Sequence, residues 1–419
     1  MKTVTLRAEV VEQLQGLKDV EIVVGIPSYN NARTIGHVVR AVQAGLAKYF
    51  PGRNAVLVNS DGGSRDGTMD VVRSTRLDDH AAILVHHRVD SLPVIATAYE
   101  GIPGKGSAFG TIFEIAVALN AKACAVVDSD LRSITPEWIE LLVKPVLSGE
   151  TDFVAPLYHR HKYDGTITNS IVYPMTRALY GKRVRQPIGG DFGFSGKLAA
   201  FYVSQDVWET DVARFGIDVW MTTTAIANRF TVSQAFLGAK IHDAKDPGSD
   251  LSAMLYQVVG ATFALMEDHA AIWKETAGSE PVPAYGFTYT VGLEPVQVNT
   301  EKMLGIFREG CDSLPKLWRT ILGGGDLEAV LALSAVATDA FHFPAALWAR
   351  VVYDYALAYH QRRLPPEHII KSLTPLYLAR TASFVNEVRD LDQDGSEQVI
   401  EALCREFEEQ KAYLVANWK

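Results

Sequence analysis

The chain has 419 residues, 48% hydrophobic and 21% charged, enough to bury a large core and more than one average domain holds. Its 40 Lys and Arg against 49 Asp and Glu give a net charge of −9, which excludes a general nucleic-acid binder, because such a protein needs a basic face. Three widely spaced cysteines, Cys124, Cys311 and Cys404, form neither a disulfide framework nor a zinc pattern and fit a reducing cytoplasm.

Residues 1–20 read as a short helix and a linker, without the apolar core of a signal peptide. Glu21 to Pro27 (EIVVGIP) is a buried strand, and Ser28 to Asn31 a polar turn. Ile35, Val38, Val39, Val42 and Leu46 recur at helical spacing over Thr34 to Tyr49, and Pro51-Gly52 ends that helix. Ala55 to Asn59 is a second strand, followed by Ser60-Asp61-Gly62-Gly63-Ser64 and a helix from about Asp66; Ala82 to His86 is a third. This rhythm predicts parallel βαβ units. A loop-rich stretch from Arg88 leads to a helix over Ser107 to about Asn120. Ala123 to Val127 is the next strand, and Thr135-Pro136 opens a helix to Leu147, with Thr as cap and Pro at the first helical position. Asp152 to Tyr158 is another strand.

Residues 159–245 are mixed. They hold a basic cluster (His159, Arg160, His161, Lys162), a helix near Asn169 to Tyr180, a glycine-rich turn over Pro187 to Gly196, a helix near Asp218 to Asn228 and a strand over Thr231 to Ile241. Beyond Leu251 the pattern is helical, over roughly 250–278, 297–323, 326–338, 344–361, 366–390 and 394–417. Met254 to Met266, the longest apolar stretch, is too short and too polar to span a bilayer, so no membrane association is expected. The expected division is an α/β domain over 1–250 and an all-α domain over 251–419. Aromatics scattered along the C-terminal helices fit core or subunit contacts; a homodimer is compatible with them, with no interface legible.

Five stretches carry candidate chemistry. Asp128-Ser129-Asp130 leaves the carboxyl end of a strand, where ligands of open α/β sheets bind, and two carboxylates one residue apart suit a hard cation such as Mg²⁺ or Mn²⁺. Pro27-Ser28-Tyr29-Asn30-Asn31 and Asn59-Ser60-Asp61 follow the first two strands and read equally as turns or as a nucleoside pocket. Pro103-Gly104-Lys105-Gly106 combines two glycines, which allow close backbone approach, with a point charge for a diphosphate; it lacks the spacing of a P-loop. His242, after the Thr231 to Ile241 strand, could complete a metal shell begun by Asp130, or be an ordinary loop residue.

Taken in order, PSYNN, NSD, PGKG, DSDL, QPIGGDFGFS, FGIDVW and KIHD resemble the GT-A glycosyltransferases, and within them the mannosylglycerate synthase and glucosyl-3-phosphoglycerate synthase families, over about residues 20–265. The resemblance implies a GT-A, Rossmann-like domain and metal-dependent, configuration-retaining transfer. A hexose, mannose or glucose, would pass from a GDP- or UDP-sugar to D-glycerate or a similar small hydroxy acid. It also implies roles for single residues. Asp130 and His242 would hold Mg²⁺ or Mn²⁺, with Asp128 on the ribose or a metal-bound water. Pro27, Tyr29, Asn31 and Asp61 would line the base and ribose pocket, and Lys105 would contact the nucleotide. Gly189 and Gly190 would let the sugar pack on backbone; Asp191 and Asp218 would be the catalytic carboxylates, Asp218 also orienting the acceptor; Arg160 and Thr168 would hold the acceptor carboxylate.

Three positions depart from these relatives: Asn31 replaces an acidic residue, Asp191 a glutamate, and Thr166 an arginine in the acceptor loop Gly165-Thr166-Ile167-Thr168. Loss of that charge-assisted donor points to free glycerate rather than the phosphorylated acceptor of glucosyl-3-phosphoglycerate synthase, which is the alternative. A sugar-1-phosphate nucleotidyltransferase would need a glycine-rich, Arg-Lys-containing first loop, absent here. The alternative of another class is a sugar-nucleotide-binding regulatory protein without turnover.

Overall fold

The computed structural model describes residues 6–75, 92–99, 103–214, 216–241, 252–289, 292 and 296–419. The chain divides into two compact units. The first comprises Met1–His159, Ile188–Ala244 and Val282–Val291, and the second Arg160–Pro187, Lys245–Pro281 and Gly292–Lys419.

The first unit is α/β. After α1 (Ala8–Gln15) come β1 (Ile22–Ser28), α2 (Ile35–Tyr49), β2 (Ala55–Asp61), α3 (Thr68–Ser74), β3 (Val94–Ala98), α4 (Lys105–Ala118), β4 (Ala123–Val126), α5 (Pro136–Leu147) and β5 (Phe153–His159). Strands Phe192–Ser195, Val232–Ala239 and Ala284–Tyr285 complete an eight-stranded sheet. From one edge the order is Ala284–Tyr285, Val232–Ala239, β5, Phe192–Ser195, β4, β1, β2, β3. All pairings are parallel except those of Phe192–Ser195, which runs antiparallel to β4 and β5. The expected parallel sheet is therefore mixed.

Two elements differ from the sequence reading. The described strand beside β2 is Val94–Ala98, a β-branched run inside the stretch read as loop; Ala82 to His86 lies outside the described residues. Lys105, read as a loop residue, is the first residue of α4.

The core follows from periodicity. Strands β1, β2 and β4 are buried along their whole length, as strands covered on both faces must be. The apolar stripe of α2 (Ile35, Val38, Val39, Val42, Leu46) is buried as its spacing predicts. Gly25 lets α4 seat on β1: a Cβ there would come within 2.6 Å of Ile112. Register then sets the site edge. Ser28 pairs with Asp61, so β1 and β2 end together, while β4 stops earlier, at Val126 opposite Gly25, and gives way to the acidic loop. The chain leaves β1 for β2 on one side and later returns to β4 on the other, which makes the β1/β4 edge the switch point where an open α/β sheet binds ligands.

The second unit is mainly helical, with long helices at Ser252–Asp268, Thr300–Ser313, Ala345–His360, Thr374–Glu387 and Gln393–Asn417. Proline divides two of the stretches read as single helices: Pro315 starts a short helix after Ser313, and Pro375 lies in the first turn of Thr374–Glu387. Residues 160–187, read by sequence with the first 250 residues, pack with these helices. Tyr173 joins Phe384, Val388, Ile400 and Cys404 in one buried cluster, and Arg177 reaches Glu401 and Glu408. No described helix is long and apolar enough to cross a membrane.

Candidate active site

The acidic loop after β4 is the centre of a charged network in the first unit. Asp128 Oδ1 lies 2.8 Å from Lys105 Nζ, and its Oδ2 accepts from Lys240 Nζ at 2.7 Å. Lys105 also reaches Asp218 Oδ2 at 3.2 Å. Lys240 Nζ donates further to the Gly189 carbonyl at 2.7 Å and to Asp191 Oδ2 at 2.8 Å. Asp191 is fully buried; its Oδ1 accepts from the Asp128 backbone N–H at 2.8 Å, and the Tyr158 hydroxyl donates to its Oδ2. Three carboxylates and two ammonium groups thus share one partly dry region.

Its protonation follows from burial and neighbours. Burial works against the Asp128 carboxylate, but Lys105 and Lys240 overcome it and hold its pKa well below the usual range. Burial works against the Lys105 ammonium too; Asp128 and Asp218 overcome it and raise its pKa. For Asp191 and Asp218 burial wins, and each pKa is raised above the ordinary carboxylate value despite Lys240 and Lys105 respectively. Asp218 Oδ1 is buried and has no hydrogen-bond partner among the described residues.

The surrounding chain explains why these groups converge. Lys105 is placed by its glycines: a Cβ on Gly104 would meet the Arg214 carbonyl at 2.7 Å, and one on Gly106 would meet Ala213 Cα at 2.6 Å. The close approach that PGKG permits is therefore made by the protein's own 212–214 turn, and Gly106 N–H donates to the Arg214 carbonyl at 3.1 Å. Asp218 sits in the first turn of helix Ile217–Ala227, anchored by Trp220 against Tyr202 and Trp208 at ring separations of 4.9 and 5.7 Å. Gly190 has φ +89°, where a side chain is strained, and a Cβ there would run into the Asp128 carboxylate.

Asp130 differs from its neighbours. It is half-buried and, among the described residues, has no hydrogen-bond or ion-pair partner. A carboxylate left open beside a dense ionic network is a hard oxygen donor, of the kind Mg²⁺ or Mn²⁺ takes. The described residues contain no cluster of three or more metal-binding side chains, and His242, the second expected ligand, lies outside them. The chain leading to it is fixed: Arg132 N–H donates to the Ile241 carbonyl at 2.9 Å, and Ile241 N–H to Ser133 Oγ at 2.9 Å.

The nucleoside candidates behave unequally. Tyr29 is 63% exposed and offers an open ring face; Pro27 is buried within β1. Asp61 is fully buried, and both its oxygens are used internally. Oδ1 accepts from the Gly63 and Ser64 N–H groups, and Oδ2 from the Ser28 and Ser64 hydroxyls, at 2.7–2.9 Å. It builds the loop that presents Tyr29. Asn31 Oδ1 accepts from the Tyr29 N–H at 3.0 Å and from Ser129 Oγ at 2.8 Å, while Thr34 Oγ1 donates to the Ser129 carbonyl at 2.8 Å. Asn31 therefore ties the first loop to the acidic loop. Asp191 lies deeper than its expected catalytic role requires, with neither oxygen open.

Arg160 and Thr168 belong to the second unit. Arg160 pairs with Asp164 at 3.3 Å, and half-buried Thr168 opens a π-helical turn, Thr168–Val172. Thr166 is buried against the Tyr377 hydroxyl at 2.5 Å. Lys162 donates to the carbonyls of Val388, Arg389 and Leu391, and Arg185 makes a two-point pair with Glu397. Sequence reasoning missed Lys240 and Tyr158. Both lie at ends of apolar strands; the signal for Lys240 was a long cation in Phe236-Leu237-Gly238-Ala239-Lys240-Ile241, where a lone ammonium cannot be buried without acceptors.

No protein-family model matches the chain. It is 25% identical over 278 residues to a glucosyl-3-phosphoglycerate synthase of Petrotoga mobilis, covering 62% of this chain and 78% of the relative. Solved structures of the Mycobacterium tuberculosis glucosyl-3-phosphoglycerate synthase align less closely. One with Mg²⁺ and uridine diphosphate is 20% identical, with a TM-score of 0.43, and covers 64% of this chain and 84% of that one. Another, with Mn²⁺, UDP-glucose and phosphoglyceric acid, is 19% identical with a TM-score of 0.42, covering 64% and 85%. The α/β class rests on the sheet of this chain itself. The chain resembles the GT-A glycosyltransferases, glucosyl-3-phosphoglycerate synthase among them.

Proposed function

We propose that the chain is a glycosyltransferase that moves a hexose from a nucleoside diphosphate sugar, a UDP- or GDP-hexose, to glycerate or its 3-phosphate, working in the cytoplasm. The observation that carries this reading is the open Asp130 carboxylate at the β1/β4 switch point, beside a lysine held between two aspartates. The likeness to glucosyl-3-phosphoglycerate synthase supports the reaction class and favours the phosphorylated acceptor, the alternative drawn from the sequence. Thr166, buried on Tyr377 where relatives carry arginine, supports free glycerate.

In this reading Asp130, with His242, holds Mg²⁺ or Mn²⁺. The cation, when bound, stabilises charge on a departing diphosphate. Lys105 adds a second positive charge, being about one-quarter exposed and able to turn from Asp128 toward a phosphate oxygen. Asp218 faces the same region with one oxygen unpartnered among the described residues and accepts a hydrogen bond from the acceptor hydroxyl, orienting it for attack on the anomeric carbon. The leaving phosphate takes the hydroxyl proton from the same face, which retains configuration without a carboxylate nucleophile. Tyr29 stacks on the base and Asn31 holds the loop beneath it.

The test is a matrix of UDP- and GDP-hexoses against D-glycerate and 3-phosphoglycerate with Mn²⁺. Wild type releases nucleoside diphosphate only when an acceptor is added; Asp130→Ala lowers that rate about a thousandfold or more. Full activity in Asp130→Ala sinks the metal assignment. Nucleotide binding without turnover on any acceptor would favour the regulatory protein.

A further inference from the structure

Lys240, like Tyr158, belongs to this region without a role foreseen from the sequence, and it is the charged one of the two. Its side chain is 4% exposed, and among the described residues its ammonium donates to three acceptors at 2.7–2.8 Å. A buried ammonium is retained only where such partners offset its desolvation. The partners belong to two separate segments: Asp128 on the loop after β4, and Gly189 and Asp191 on the turn before strand Phe192–Ser195. The Lys240 ammonium also lies 5.3 Å from the Tyr158 ring centroid, and the Tyr158 hydroxyl donates to Asp191.

We propose that Lys240 is a positioning residue for sugar transfer, an inference that rests on the function proposed above: its ammonium group clamps the acidic loop to the Gly189–Asp191 turn and fixes the rotation of the Asp128 carboxylate. Two further observations fit the clamp. With Oδ2 held by Lys240, Asp128 keeps its place when Lys105, shared between Asp128 Oδ1 and Asp218, turns to a ligand. Gly190 lies inside the clamp; a Cβ there would stand 3.1 Å from Lys240 Nζ and collide with Asp128, so the two loops close only over a glycine. Lys240 does not itself touch substrate. It determines where Asp128 and the Gly189 carbonyl stand, and a small misplacement of such groups costs rate more than affinity.

The experiment uses the full chain with Lys240→Met and Lys240→Arg. Lys240→Met lowers kcat at least about a hundredfold, while the Kd for UDP with Mn²⁺ shifts less than about threefold, because Asp130 is untouched. Lys240→Arg, which keeps the charge, recovers kcat to within about tenfold of wild type. In thermal unfolding, Lys240→Met and Asp191→Asn are strongly non-additive, since each removes the same contact. If Lys240→Met does not fold, Lys240→Gln, which keeps two donors, carries the same comparison.

Near-wild-type kcat in Lys240→Met overturns the proposal. So does an equal fall in kcat and UDP affinity, which would make Lys240 a donor ligand, or additivity in the thermal cycle. If wild type transfers no hexose to any acceptor, the proposed function fails, and the thermal cycle alone decides the clamp.

Discussion

Both units bury charge, and they do it differently. In the first, Asp128, Asp191 and Asp218 surround two lysines, and among the described residues Asp130 stands open beside them and one Asp218 oxygen is buried without a partner. In the second, Arg177, 2% exposed, meets Glu401, Glu408 and Ser279, and Arg350 grips Asp326 through two nitrogens. One network has a surplus of carboxylate oxygen turned to one edge of a sheet. The other pairs its arginines with carboxylates on facing helices. A surplus with one carboxylate left open is poorly stabilised until a cation or a polar ligand arrives, so it belongs to a site; carboxylates taken up by arginines across facing helices belong to the scaffold.

Mutations should separate the two. Lys105→Ala takes a positive charge from the surplus network and lowers kcat/KM about a thousandfold, roughly 4 kcal/mol of transition-state stabilisation, with a change in melting temperature of a few degrees at most. A large loss of stability with little loss of rate would make Lys105 scaffold and erase the contrast. Arg177→Met should do the reverse. It strands Glu401 and Glu408, which are 34% and 19% exposed, so the loss falls at the lower end for a broken buried pair, about 3 kcal/mol by denaturant unfolding. UDP affinity stays unchanged. Adding Glu401→Gln and Glu408→Gln recovers part of the loss; no recovery would mean that packing of the arginine stem, and not charge, sets the cost.

How much of this was legible in the sequence depends on what each residue signals. Strands β1, β2 and β4 and helix α2 were readable, because buried runs and a 3.6-residue stripe are local patterns. Asp128, Asp130, Lys105 and Asp218 were readable as candidates because each punctuates a turn or a helix start. In the sequence, Phe192–Ser195 falls inside a glycine-rich turn: four residues among glycines carry little periodicity, and pairing with β4 and β5 is set at long range. Asp61 and Asn31 read from sequence as ligand contacts, yet Asp61 uses its oxygens on its own and the neighbouring loop, and Asn31 spends Oδ1 on tying its loop to the acidic loop; a turn and a pocket use the same residue types, and only geometry separates them. Lys240 is invisible in the sequence for the same reason, as its described hydrogen-bond acceptors lie 49 or more residues away. The packing of residues 160–187 with the C-terminal helices depended on Arg177 and Tyr173 finding partners more than 200 residues on.

The smallest effect concerns Lys411, where the pairing of the second unit is incomplete. Lys411 is 7% exposed and donates to the Thr276 carbonyl. Burial pushes its pKa down to about 8, with Glu408 opposing that only partly. The unfolded chain returns it to about 10.4. Between these values the unfolded state binds the proton and the folded state does not, so stability rises with pH from about 8 to about 10.4. Below about 8 the folded protein carries the whole cost of burying the charge, at most about 3 kcal/mol. Lys411→Met removes that cost and strands the Thr276 carbonyl, which returns about 1 kcal/mol or more. The variant should therefore be more stable than wild type at pH 7 by about 1–2 kcal/mol and lose that advantage by about pH 10.4, the difference between the two curves isolating this one group. A variant less stable at pH 7, with a difference that does not change with pH, would show that Lys411 holds its helix through the Thr276 hydrogen bond and that the charge is no burden to the scaffold.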